Sequence, residues 1–161
     1  MYIPYLVKHG IKTIIQVGDF FDRRQYINFK TYYFLHNFLP KLLTDNDIQM
    51  YVLIGNHDTA LKSSNHINSP KLLLSHIPNI TVIDTLSELK LKEGDEEFDI
   101  AIIPWINNSN YQESVDFINN TKCQYVAGHF ELAGFEMHKG HVNDSGMSTD
   151  IFDRFTQVIT G

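Results

Sequence analysis

The chain has 161 residues, 43% hydrophobic and 20% charged, so it is long enough and apolar enough to bury a core and does not read as a disordered tail. Its formal net charge of −6 argues against a nucleic-acid binder that works through a basic face, but not against an enzyme whose bound cations supply the positive charge. The one cysteine, Cys123, excludes an internal disulfide framework and agrees with a reducing compartment. No apolar run reaches the length of a membrane span, and MYIPYLVKHG lacks the form of a secretion signal, so a cytoplasmic location and no membrane partner are the expectation.

One pattern recurs along the chain. A short apolar run ends in glycine followed by a polar residue able to bind metal. It reads KTIIQVGDFFD from Lys12 to Asp22, QMYVLIGNHD from Gln49 to Asp58, and CQYVAGHFE from Cys123 to Glu131; FTQVITG, Phe155 to Gly161, begins a fourth copy. The runs are continuous rather than alternating, as in strands covered on both faces. Between the first two lies Asn28 to Leu43, where the spacing of Phe29, Tyr32, Tyr33, Leu35 and Phe38 predicts one amphipathic helix. Thr44 to Asp47 then makes a turn, and the whole is a βαβ unit.

The middle of the chain differs. Thr59 to Ser69 reads as a polar loop and Pro70 to His76 as a short helix. Thr81–Asp84, Glu88–Lys92 and FDIAIIPW read as strands, with Glu93–Glu97 as an exposed turn, and the stretch resembles a hairpin or small antiparallel sheet. Tyr111 to Asn119 reads as a helix leading into the strand that follows Cys123. No linker or domain boundary interrupts residues 1–161.

The candidate site follows from the strand ends. Taken singly, Asp19 reads as a helix-capping turn residue, and Asn56-His57 and His129 as ordinary turns. Taken together, three strand ends deliver Asp, Asn-His and His to one rim, where ligands collect in open α/β sheets. Carboxylate and amide oxygens suit hard divalent cations, and imidazole suits Mn, Fe and Zn. Two such cations about 3.5–4 Å apart clamp a phosphate and activate a bridging water.

GDFFD, GNHD and GH, in this order, resemble motifs two, three and four of the calcineurin-like metallophosphoesterases. The resemblance implies a four-layer α/β/β/α sandwich with a dinuclear metal site at the strand ends. It implies that Asp19 bridges two metals and that Asn56 and His129 bind one of them. It gives His57 the role of protonating or hydrogen-bonding the leaving oxygen, with Asp22 orienting it; a helix N-cap is the rival reading of Asp22. Arg23 matches a phosphate-contacting arginine of the phosphatase branch, with a solvated surface arginine as the rival. Asp58 is expected to hydrogen-bond within its loop. His9, His36, His66, His76, His138 and His141 read as surface or structural histidines, Glu131 has no assigned role, and Trp105 reads as a packing residue.

Within that class, GDFFD, PWI near Trp105 and GHFE are similar to nuclease subunits of the Mre11/SbcD type, including phage recombination nucleases. That similarity implies DNA as substrate, manganese as the metal, and a Rad50/SbcC-like ATPase partner able to supply the DNA surface that a −6 domain lacks; a homodimer within the complex stays open. A phosphomonoesterase or cyclic-nucleotide phosphodiesterase on the same fold is the first alternative, and a non-catalytic binding module the second. The family pattern also includes Asp-x-His before motif two and Gly-His-x-His after motif four, and neither occurs here. Met1 to Gly10 reads as the tail of a helix and FTQVITG stops at the glycine. The expectation is a fold incomplete at both ends, missing a central strand, poorly stable and hydrolysing little as it stands.

Overall fold

The computed structural model describes residues 3–138, 141–142 and 146–161. It begins with a short helix α1 (Ile3–Lys8), followed by strand β1 (Thr13–Gln16), helices α2 (Phe29–Asn37) and α3 (Leu39–Asp45), and strand β2 (Gln49–Leu53). A hairpin of β3 (Thr59–Leu61) and β4 (Ser64–Asn68) leads to α4 (Ser69–Leu74) and β5 (Ile80–Ile83). The second half runs β6 (Ser87–Glu93), β7 (Glu96–Ile103), α5 (Tyr111–Asn120) and β8 (Tyr125–Gly128). It continues through the short pair β9 (Glu136–His138) and β10 (His141–Val142), a 3₁₀ turn at Thr149–Phe152, and β11 (Gln157–Thr160).

Two sheets form. The first has the order β1-β2-β5, all parallel, with Ile14 opposite Met50 and Val52 opposite Val82. The second has the order β11-β8-β7-β6; β11, β8 and β7 are parallel and β6 pairs antiparallel with β7. Residue parity sorts the strands into layers, because successive side chains point to opposite faces. On β2, Met50 and Val52 join Leu35, Leu39, Leu43 and Leu74 under the helices, while Leu53 joins Ile83, Ile100, Ile102 and Ala127. That last cluster draws on both sheets, so the sheets pack face to face. Ala101, Ile103 and Val126 turn the other way and pack with Ile118 of α5, Phe152 and Phe155. The result is the four-layer α/β/β/α sandwich. Double-sided burial explains the continuous apolar runs of β2, β8 and the end of β7, whereas β1 is half-buried and β11, read from the sequence as a strand of the same kind, is exposed along its length.

Three elements depart from the sequence reading. The single helix expected over Asn28 to Leu43 is two, broken at Phe38, with Pro40 in the first turn of α3. Proline has no N–H to give and its ring opposes the carbonyl four residues back, so one continuous helix cannot pass through it. Of the aromatic and aliphatic positions that suggested a buried face, only Leu35 is buried; Phe29 is 89% exposed and Tyr33 60%. The polar stretch after GNHD is the β3–β4 hairpin, with Thr59 opposite Asn68 and Leu61 opposite Ser64. Of the hairpin or small antiparallel sheet expected in the middle of the chain, the hairpin forms as β6–β7, while β5 departs and joins β2 in the first sheet. Among the described residues no helix is long and apolar enough to cross a membrane. The reading of His138 and His141 lies outside the described side chains.

Candidate metal centre

The loops that follow β1, β2 and β8 meet at one rim. Two backbone bonds bring them together: Trp105 N–H donates to the Ile54 carbonyl at 2.7 Å across the two sheets, and His129 N–H donates to the Ile103 carbonyl at 3.2 Å between the neighbouring strand ends of the second. The glycines of the motifs make the approach possible. A Cβ on Gly18 would collide with the His129 ring, and one on Gly55 with the backbone and carboxylate of Asp19. Gly18 also has φ +95°, and Asp19 itself sits at φ +53°, in the left-handed region that aspartate tolerates better than most residues. The turn thus aims the Asp19 carboxylate back across the rim rather than onward along the strand.

Asp19, Asn56 and His129 converge. His129 Nε2 lies 3.1 Å from Asn56 Oδ1 and 3.6 Å from Asp19 Oδ1. The other ring nitrogen, Nδ1, lies 3.0 Å from the Val17 carbonyl. A carbonyl only accepts, so Nδ1 carries a proton and donates it, which leaves Nε2 as the ring atom that faces the two oxygens and is placed to bind a cation. Three electron-pair donors facing one another, with the imidazole oriented through its far nitrogen, is an arrangement that a divalent cation resolves. The donor set of carboxylate oxygen, amide oxygen and imidazole nitrogen suits a first-row divalent metal. Among the described residues no three His, Cys, Asp or Glu side chains cluster as a metal site, because the third donor here is the amide of Asn56.

His57 stands beside this group. Its backbone N–H donates to Asp19 Oδ1 at 2.8 Å and its ring Nδ1 lies 2.8 Å from the Asp22 carbonyl. Asp22 therefore contacts the histidine through its main chain; its carboxylate is 92% exposed and lies 3.5 Å from Arg23 Nε. The orienting carboxylate expected from the sequence is replaced by a carbonyl, which fixes the same proton on Nδ1 without adding a charge. Asp22 is not a helix cap either, since Asn28 caps α2 by accepting from Lys30 N–H at 2.8 Å. Arg23 is exposed at the edge of the site, with a guanidinium turned toward Asp22.

Two residues that sequence reasoning left without a firm role prove to hold the rim. Asp58 is fully buried, and its carboxylate accepts from the N–H groups of Phe20 (3.2 Å), Phe21 (2.9 Å) and Gly55 (2.9 Å), tying the first motif loop to the second. Burial pushes its carboxyl pKa up, against the pull of those three N–H donors. Arg24 donates to Thr59 Oγ1 at 2.9 Å and lies over the Trp105 ring, 5.5 Å from its centroid. It links the loop after β1 to the β3 hairpin and to the loop after β7. The sequence signal for Arg24 was only its place after Arg23, and nothing in the spacing separates the two. His66 is exposed on the hairpin, Glu131 is exposed next to the site, and Trp105 is 7% exposed, a packing residue as read.

The calcineurin-like phosphoesterase profile matches residues 2–156. This chain belongs to the calcineurin-like phosphoesterase family. Over an alignment of 162 residues it is 34% identical to exonuclease subunit 1 of Enterobacteria phage T4; the match covers 99% of this chain and 45% of that protein. The chain thus spans under half the length of the relative. That family is one of phosphoester hydrolases that generally use divalent metals.

Proposed function

We propose that the chain carries the metal-dependent phosphodiesterase centre of a DNA nuclease of the Mre11/SbcD type. The observation that carries this reading is the convergence of Asp19, Asn56 and His129 with His57 beside them, in a chain similar to a phage exonuclease subunit. Asp19, Asn56 and His129 would hold a divalent cation, with manganese as the expected one, and Asp19 would share a second cation with it. Bound metal supplies Lewis acidity toward a phosphoryl oxygen and a water activated at neutral pH.

The chain's own residues do the rest. Val17 fixes the His129 tautomer and the Asp22 carbonyl fixes that of His57, so neither ring rotates away from the rim. His57 protonates or hydrogen-bonds the oxygen that leaves with the departing nucleotide. Arg23 at the edge contacts a flanking phosphate. A partner ATPase of the Rad50/SbcC type supplies the positive surface that a chain of net charge −6 lacks.

The test is manganese-dependent cleavage of an end-labelled DNA hairpin, set against hydrolysis of a phosphomonoester, with Asn56→Ala as the control. Cleavage of DNA lost in the control supports the nuclease. Turnover of the monoester alone makes the protein a phosphatase on the same fold. No metal binding and no turnover of either makes it a binding module.

A further inference from the structure

Beside His57 the surface opens into a cavity of about 560 Å³ between the loop after β1 and the N-terminal turn of α2. Phe20, Phe21, Asp22, Arg23, Tyr26 and Thr31 are among the residues that line it. Asp22 belongs to both places: it lines the cavity and holds the His57 ring through its carbonyl. Anything seated in the cavity therefore lies next to the group that would meet the leaving oxygen.

Tyr26, in the loop before α2, is 75% exposed. An aromatic ring left that far in water buries little of its own apolar area, so packing does not explain its presence. Arg23 is 74% exposed and its Nε lies 3.5 Å from the Asp22 carboxylate, while among the described residues its two terminal nitrogens make no hydrogen bond. A planar π face and a free guanidinium edge, side by side in a cleft, match a base and its phosphate. The net charge of −6 adds to the case, because a chain with little long-range attraction for a polyanion needs short-range stacking to hold one.

We propose that this cavity is a nucleotide subsite, in which an unpaired base next to the scissile phosphodiester stacks on Tyr26. The proposal rests on the nuclease reading and adds to it the side chain that holds the base, Tyr26, which only a base free to leave its own stack can reach. Stacking tolerates any base, since every base has a π face, so the subsite confers a structural preference and no sequence preference.

The experiment is binding, without turnover. A short single-stranded oligonucleotide with 2-aminopurine at its end is titrated with the protein in EDTA. Stacking on Tyr26 quenches the fluorophore. Tyr26→Ala is expected to abolish the quenching and weaken binding about fivefold or more, and Tyr26→Phe to restore both. Tyr33→Ala, an exposed aromatic of α2 outside the cavity, is expected to bind as the parent does. Thermal melts check that each variant folds. Equal quenching by the parent protein and Tyr26→Ala overturns the subsite, as does an equal loss in Tyr33→Ala. A change of oligomeric state with unchanged affinity in Tyr26→Ala makes the aromatic face a protein interface and overturns it too. If manganese-dependent DNA cleavage occurs with no quenching by any variant, the subsite alone fails; if DNA is neither bound nor cut, the nuclease reading fails with it.

Discussion

Asp58 Oδ1 accepts the backbone N–H of Phe21 at 2.9 Å, across 37 residues of sequence and with no exposure to water. Its second oxygen takes the N–H groups of Phe20 and Gly55. An asparagine has the same shape but only one accepting oxygen, so either orientation of the amide turns an NH₂ toward at least one buried N–H. Asp58→Asn is therefore expected to cost about 1–3 kcal/mol of stability, the desolvation penalty of an unmade buried bond. Urea unfolding of the two proteins measures it, and equal midpoints would show that the carboxylate is dispensable. The pH dependence has a sign. Burial raises the pKa in the folded chain, so the folded state holds the proton more tightly than the unfolded state. The stability from this group is fully present below the unfolded carboxyl range and is lost as pH rises through the folded value. Asp58→Asn removes that limb of the stability profile.

Gly18 and Gly55 are demanded by contact with the rim residues rather than by turn geometry alone. Gly55→Ala is expected to displace Asp19 and Gly18→Ala to displace His129, the latter with added backbone strain at its positive φ. Each should lower manganese affinity at least tenfold while much of the four-layer core survives, since neither glycine belongs to the hydrophobic clusters. Isothermal titration with manganese, beside far-ultraviolet circular dichroism, separates the two effects. Parental affinity in both variants would place the metal elsewhere.

The layers and the rim were legible in the sequence for one physical reason. A strand buried on both faces must be apolar throughout, and a strand that ends at a ligand rim must stop at a residue small enough for another loop to approach. Both marks coincide at Gly18-Asp19, Gly55-Asn56 and Gly128-His129. What was illegible depended on tertiary partners. The β3–β4 hairpin has no apolar alternation, because Asn65 and Asn68 spend their side chains on backbone groups: Asn65 donates to the Trp105 carbonyl at 2.8 Å, and Asn68 accepts from Lys71 N–H at the start of α4. The exposed aromatics of α2 mimic a buried helical face, since periodicity records where large residues recur and not what covers them. Asp22 illustrates the limit for roles: residue type suggested a carboxylate contact to His57, and the chain uses the carbonyl instead.

Cys123 is 4% exposed, and burial pushes its thiol pKa up. The thiolate is the reactive form, so both access and ionisation protect it. Alkylation by iodoacetamide at neutral pH should be at least about a hundredfold slower in the folded chain than in urea, in line with opening energies of a few kcal/mol for core positions. The linkage sign follows the same rule as for Asp58: the stabilising contribution holds below the unfolded thiol pKa and is lost as pH rises through the raised one, so this group adds to alkaline destabilisation. Prompt alkylation of the folded protein would show that the layer of α5 opens readily.

Arg24, rather than its exposed neighbour Arg23, is the arginine that the fold employs. Its guanidinium donates to Thr59 Oγ1 and covers the Trp105 ring, so one side chain spans three loops of the rim. Arg24→Ala should release the β3–β4 hairpin from that rim, at a cost of about 1–2 kcal/mol for a charge-assisted bond and a stacked cation together. Arg24→Lys should recover little, because an ammonium lacks the planar face and the fork that reaches Thr59 while lying over the ring. Hydrogen exchange gives the local readout: amides of Thr59–Asn68 should lose protection in both variants while those of β7 and β8 keep theirs. Full protection of the hairpin in Arg24→Lys would show that charge alone secures it, and uniform loss across all strands would show that Arg24 stabilises the whole fold rather than the rim.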